Sequence, residues 1–589
     1  MSTPRRVAII GAGPSGLSAV SQFLSLNTFS STRLFDVTLF DRRATFGGVW
    51  NYDASPGGCV VRFDGSGRPH ALWENGWKDG DDRGRFVPPG AMYDGLRTNL
   101  PCDIMAYRSQ PYNSSTDLFP DRATVERYIK SFAETVVGES SNMDLRLGTA
   151  VIGVKRISHH VTQAKKRFGW GSVWNVTSIN IDSKKQVKEQ EQQEDKEEEE
   201  EYDHVVIASG RCNTPSIPTV EGLALFQGEI LHSAWWRSPL PFEGKTVLVV
   251  GNSSSGSDIA RELAGYVLRT LPEGSTATEE YIQRRKISQV KVLHSYEQYD
   301  KPPPLDYDPR DENSPAWAKR IQVVPKVSKV EKVEGGKGSR IRFEDGQERE
   351  DVDVIIFATG YAYDLPYLDQ SLSPFSESPL IPSRPTTTAS TAYPLQAQDE
   401  VYTPSFPTSS HLTNLDDWSL FYSSDASLCV LGAPIRIVPM PLTHVQSRIV
   451  ASAWSGHLSP SPDSTGLPRL DPNIPTTDPA KWTSRRPTAD NQAADRMQNP
   501  NKTADLGYPS DSAYQEALLQ LLPHHLSISG ADEHLKVPPA HQVDNAMTGV
   551  LEESLKPVVA ADEGWARMAD YRNQRRSDTK RLRRLLLGY

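Results

Sequence analysis

No CxxC pair occurs in this 589-residue chain; its four cysteines, Cys59, Cys102, Cys212 and Cys429, are widely scattered. That excludes the dithiol active site of a disulfide reductase and argues against a disulfide scaffold. No run approaches the roughly 18 apolar residues of a transmembrane helix, so no membrane anchor is expected. The first apolar strand begins within six residues of Met1, so no signal peptide is expected. Positive charge is not in excess: the formal net charge is −10, and nothing in it suggests nucleic acid. Much of the negative charge comes from one run, 183–201, so a generally acidic surface does not follow. No Ser/His/Asp triad and no metal-ligand cluster stands out, and no metal is expected. The composition fits a cytoplasmic protein with a large core and two or more domains.

What the chain does have is two glycine-rich loops, VAIIGAGPSGL (7–17) and VLVVGNSSSGSDIA (247–260). Each follows an apolar, mostly β-branched run typical of a buried parallel strand, and each leads into a helix pattern. In the first loop Gly11, Gly13, Pro14, Ser15 and Gly16 allow a tight turn and the close approach of a pyrophosphate, whose charge rests on the helix N-terminus. The next strand, DVTLFD, ends at Asp41, an acidic residue placed to accept from ribose hydroxyls. An isolated Asp at a strand end is more often a turn residue; here it follows a complete loop–helix–strand unit. One such loop is weak grounds for a function. Two in one chain imply two dinucleotides, and a flavin with a nicotinamide is the usual redox pairing.

The segments HVVIASGR (204–211) and DVDVIIFATGY (351–361) read as equivalent strand-to-glycine crossings, so the second unit is nested in the first. The expected fold is α/β, with two dinucleotide-binding, Rossmann-like domains. An NADPH-binding domain (215–357) is inserted in a discontinuous FAD-binding domain (1–214 and 358–589). The run 183–201 reads as a solvated loop extending a hairpin. The Ser/Pro/Thr-rich stretches 373–409 and 458–512 read as surface insertions. IRFEDGQ reads as a hairpin with an Asp-Gly turn, and the basic segment 564–589 as a helix packed on the domain rather than on a membrane.

Between the crossings lies FQGEILHSAWW, with the spacing Phe226-x-Gly228-x-x-x-His232-x-x-x-Trp236. From physics alone His232 is more often a packed histidine than a catalytic one. The spacing resembles the fingerprint of class B flavin monooxygenases, which sits just ahead of the second glycine loop. Trp236 departs toward the Baeyer–Villiger branch, while Arg237 is not the Pro or Asp common there. ATFGGVWNYD (44–53) resembles the GGxW segment, and MYDGLRTNLPCDIMAY (92–107) resembles the family's segment bearing the flavin-edge asparagine. FATGY (357–361) and residues 415–456, with Gln446 at a corresponding glutamine, are also similar. The chain therefore resembles the flavin-containing monooxygenases, in the manner of their soluble fungal-type members.

That resemblance implies FAD and NADPH as cofactors and a flavin 4a-hydroperoxide as oxidant. It further implies molecular oxygen and a small-molecule amine, thiol or sulfide as substrates, with a homodimer left open. On the FAD side it implies Gly11, Gly13, Pro14, Ser15, Gly16, Asp41, Gly48, Val49, Trp50, Thr98, Asn99 and Gln446. On the nicotinamide side it implies Gly251, Ser253, Ser254, Ser255, Gly256, Ser257 and Asp258. Asn99 is the one catalytic candidate, donating from its amide near the reactive flavin edge. Ser253 replaces the loop's usual second glycine and so holds the pyrophosphate further off or offers it a hydroxyl. The strand 287–295 ends without an acidic residue. His294 and Ser295 occupy its end, near Lys291, Arg284, Arg285 and Lys286, a set that suits a 2′-phosphate or, equally, a solvated helix end. Baeyer–Villiger oxidation of ketones and an uncoupled NADPH oxidase are the rival readings.

Overall fold

The computed structural model describes residues 4–30, 33–77, 86–138, 143–157, 173–181, 197–266, 290–304, 306–333, 338–382, 401–416, 418–456, 458, 506–507, 509–522, 555–559 and 563–589. In chain order the elements that position the site are β1 (Arg5–Ile10), α1 (Pro14–Phe29), β2 (Phe35–Asp41), α2 (Arg122–Gly138), β3 (Met143–Leu147), β4 (His204–Ile207), β5 (Glu229–His232), β6 (Thr246–Val250), α3 (Ser254–Leu263), β7 (Lys291–Ser295), β8 (Ile321–Val324), β9 (Val354–Phe357), β10 (Leu428–Val430), α4 (Pro439–Trp454), α5 (Ser510–Leu519) and α6 (Asp570–Leu586).

Two five-stranded sheets result, in the orders β10-β4-β1-β2-β3 and β5-β9-β6-β7-β8. Every pairing in both is parallel. Parallel sheets are covered on both faces, which is why their strands read as continuous apolar runs. Val7, Ile9, Leu39 and Val206 form one core with Ile449 and Trp454 of α4. Val247, Val249, Val292 and Ile356 form another with Ile259 and Leu263 of α3. The chain enters and leaves the second sheet's unit side by side: Thr214 and Pro215 pair antiparallel with Ala362 and Tyr361. The nesting expected from the two crossings is thus the observed topology.

Three sequence expectations need correcting. The end of the acidic run is not loop: Glu198–Tyr202 is a strand, antiparallel to Val173–Asn180. Its carboxylates meet cations there, with Glu200 2.5 Å from both Arg6 and Arg146. The stretch 373–409 is not wholly a surface insertion, because Phe375, Leu380 and Ile381 are buried in a core cluster. The stretch 458–512 likewise runs into α5, whose Tyr514 is buried and donates to the Trp418 carbonyl at 2.8 Å. In both, sparse apolar residues amid Ser and Pro suffice to pin the chain. Residues 383–400, 459–505 and 182–196 lie outside the described residues.

Candidate dinucleotide site

A cavity of about 380 Å³ runs along the first loop, walled by Gly11, Gly13, Pro14, Ser15, Asp41, Gly48, Val49 and Trp50 among others. The glycines are there because backbone crowds them. Gly11 has φ +111, and a Cβ on it would lie 2.5 Å from the Ala208 carbonyl oxygen; one on Gly16 would lie 1.8 Å from that of Gly11. A Cβ on Gly48 would meet the Cα of Gly13 at 2.9 Å, so these two residues form opposed, bare walls. Helix α1 starts at Pro14 with no side chain capping it and no acidic residue in its first turn. Its positive end therefore stays available to an anion. These residues fit a flavin dinucleotide.

Asp41 closes β2 and braces the loop. Its carboxylate accepts from the Ala12 N–H at 2.6 Å and the Arg43 N–H at 2.7 Å. Burial holds its pKa above the usual carboxylate range, against the pull of those two N–H groups. Arg42 and Arg43 line the same cavity and donate to the carbonyls of Phe86 and Pro88. Sequence reasoning passed over them; their place directly after Asp41 was the available signal.

The second loop repeats the crowding. Gly251 has φ +103 and would set a Cβ 2.7 Å from the Ala358 oxygen, while one on Gly256 would lie 1.8 Å from the Gly251 oxygen. Ser253 is the N-cap of α3, at φ −83, exposed and making no side-chain capping bond. That backbone suits any residue, so the missing glycine strains nothing. Ser254 and Ser255 open the helix, and the Ser257 hydroxyl donates to the Asn252 carbonyl at 3.2 Å.

The predicted imidazole-and-hydroxyl clamp at the end of β7 is not formed. His294 is buried with its Nε2 2.9 Å from the Gly251 carbonyl oxygen, and Ser295 donates to the Pro325 carbonyl at 2.8 Å. Both side chains are committed to the fold because β7 lies inside its sheet. Burial lowers the His294 pKa to about 4, so its ring is neutral and donates to the loop. Lys291 is exposed and paired with Asp351 at 2.6 Å; Arg284, Arg285 and Lys286 lie outside the described residues.

One segment, 92–107, reaches both loops. Near its start the Tyr93 hydroxyl donates to Asp258 of α3. In its middle, Asn99 is exposed and donates from Nδ2 to the Ser254 hydroxyl at 3.2 Å. At its end the buried Tyr107 hydroxyl donates to the Pro14 carbonyl at 3.0 Å. Asn99 thus sits against the second loop, on a segment whose end reaches the first. Its neighbour Thr98 does not face a ligand: it is buried and donates to the Leu100 carbonyl at 2.8 Å. Gln446 needs the same correction. It is fully buried, accepts from the Gly432 N–H at 2.9 Å and donates to Tyr514 at 2.8 Å, so it supports the cavity wall without lining it.

His232 proves structural. Its Nδ1 accepts from the Ala234 N–H at 3.1 Å and its Nε2 lies 2.9 Å from the Gly360 carbonyl oxygen, with a pKa pushed by burial down to about 4. Trp236 is buried and stacks on Phe242 at 5.3 Å. Arg237, which sequence reasoning noted only as a departure, ties the units together through the carbonyls of Asp53 (2.5 Å) and Gly90 (2.8 Å).

The family model for flavin-binding monooxygenase-like proteins matches residues 90–286 and 318–381, and an FAD-NAD(P)-binding model matches 8–60. A thiol-specific monooxygenase from Saccharomyces cerevisiae is 24% identical over 454 residues, covering 76% of this chain and 77% of the relative. A trimethylamine monooxygenase from Pelagibacter is 25% identical over 383 residues, covering 64% and 66%. In three dimensions the S-allyl-L-cysteine S-oxygenase of Allium sativum superposes with a TM-score of 0.55 at 20% identity, over 88% of each chain. Among the described residues no helix is long and apolar enough to cross a membrane.

Proposed function

This chain belongs to the flavin-containing monooxygenase family, and we propose that it uses NADPH and oxygen to place one oxygen atom on a soft nucleophilic nitrogen or sulfur of a small molecule. The observation that carries the reading is the 92–107 segment, which bonds to both glycine loops and sets Asn99 against Ser254 of the second. In this proposal Gly11 to Gly16, Asp41 and Gly48 to Trp50 hold FAD, and Gly251 to Asp258 hold NADPH. When bound, the two dinucleotides would supply hydride transfer and the activation of molecular oxygen, the source of the transferred atom.

The protein's own part is orientation, dryness and hydrogen bonding. In this proposal the Asn99 amide, exposed and donating to the Ser254 hydroxyl, would serve as a neutral, non-acidic hydrogen-bond donor toward the bound cofactors. A neutral amide suits an oxidant that a strong acid would discharge. His232 and His294, both pushed down to about 4, are committed to carbonyls and supply no acid. Trp236 is engaged with Phe242, so it lends nothing to the ketone-oxidising alternative. Four free cysteines fit a cytoplasmic setting for this chemistry.

A panel of cysteamine, a tertiary amine and cyclobutanone, assayed for oxygenated product with NADPH, tests the reading. Product from the thiol or amine and none from the ketone is expected; lactone from the ketone alone would overturn it.

A further inference from the structure

The two units are joined by more than the crossings. Near its start α6 grips the 92–107 segment: Arg572 donates to the carbonyls of Ile104 (2.8 Å) and Ala106 (3.0 Å), and Arg575 to Asp103 at 2.9 Å. Beyond its far end the chain reaches α3. Tyr589 lies against Arg261, whose guanidinium carbon is 3.4 Å from the ring centroid. The Tyr266 hydroxyl donates to the Leu587 carbonyl, and the Tyr266 ring meets that of Tyr589 edge-on at 5.2 Å.

Arg261, in the last turn of α3, is buried. It donates to both oxygens of Asp306, at 2.8 and 2.6 Å, and to Asp258. Asp258 in turn accepts from Tyr93, on the segment that carries Asn99. A buried guanidinium is stable only while its partners fill its surroundings, and a desolvated cation over an aromatic ring is among the stronger such contacts. The contacts form a series: Tyr589 to Arg261, Arg261 to Asp258, Asp258 to Tyr93.

We propose that Tyr589 is a positioning residue that, through Arg261, holds α3 against the Asn99-bearing segment and so governs how tightly the nicotinamide dinucleotide is retained. This rests on the reading that the second glycine loop holds NADPH. In this series Tyr589 acts through Arg261 and Asp258, and touches no cofactor itself.

NADP⁺ is titrated into the oxidised, FAD-bound protein for the parent, Tyr589→Ala and Tyr589→Phe, while hydrogen exchange of residues 254–263 is followed without nicotinamide. Tyr589→Ala is expected to weaken NADP⁺ binding at least about fivefold and to speed exchange in 254–263, with FAD retained. Tyr589→Phe, which keeps the ring, is expected to restore parent values. A Tyr589→Ala protein that melts with the parent and matches it in NADP⁺ affinity and exchange overturns the proposal. Should that variant not fold, Tyr93→Phe removes one hydroxyl from the same series; the same weakening supports the proposal and an unchanged affinity overturns it. If the parent itself does not bind NADP⁺, the functional reading fails, and the exchange comparison alone decides the positioning role.

Discussion

The two glycine loops are built on one plan and differ at one of their three glycine positions. In each, the first glycine is pressed against an alanine carbonyl, Ala208 or Ala358, and the last against the carbonyl of the first. The middle position diverges. Gly13 faces Gly48 across the cavity, where a Cβ would come within 3.4 Å of the Gly48 Cα, whereas Ser253 is exposed at ordinary backbone angles. At neither loop does the turn itself demand a middle glycine; at the first, a Cβ would fill the gap to Gly48 at ordinary contact distance and narrow the cavity. A loop without such a wall tolerates serine.

The second strand of each unit also braces its own loop, with opposite polarity. Asp41 accepts a loop N–H, from Ala12, while His294 donates to a loop carbonyl, that of Gly251. One brace is a carboxylate and the other a neutral imidazole. Acid therefore acts on them differently.

The comparison is broken most severely at the shared position. Gly16→Ala and Gly256→Ala each force a Cβ to 1.8 Å from a carbonyl oxygen, a clash of about 3 kcal/mol or more. The first is expected to yield a colourless protein and the second a yellow one that NADPH no longer reduces, as read by absorbance and anaerobic titration. Gly13→Ser comes next: a side chain occupying the cavity between Gly13 and Gly48 is expected to lower flavin affinity about tenfold, roughly 1.4 kcal/mol, measured by flavin retention on gel filtration.

The third effect is on pH dependence. His294 has a folded pKa of about 4, below its ordinary 6.5, so the fold holds the neutral ring. Its contribution is complete above pH 6.5 and falls as pH drops toward 4, at up to about 1.4 kcal/mol per pH unit. Thermal unfolding from pH 7.5 to 5 is expected to show a shallower acid loss in His294→Gln than in the parent. The smallest effect is Ser253→Gly, expected to change NADP⁺ affinity less than about twofold, since glycine replaces an N-cap serine at a few tenths of a kcal/mol.

Both strand–loop–helix units and their nesting were legible because periodicity and glycine spacing are local signals. Side-chain direction was not. His294 and Gln446 read as ligands, yet one braces a loop and the other a wall, because their partners Gly251, Gly432 and Tyr514 are set by tertiary packing. The tail was the least legible. Arg572 and Arg575 are buried, and their partners Glu563 and Asp103 come from two separate parts of the chain. A basic sequence there conceals an interior of ion pairs.

The central claim, that the chain uses two dinucleotides to transfer oxygen to a soft nucleophile, is tested most directly with ¹⁸O₂, NADPH and a tertiary amine. The account predicts one ¹⁸O atom in the amine N-oxide for each NADPH oxidised. NADPH consumption matched by hydrogen peroxide, with no labelled N-oxide, would contradict it.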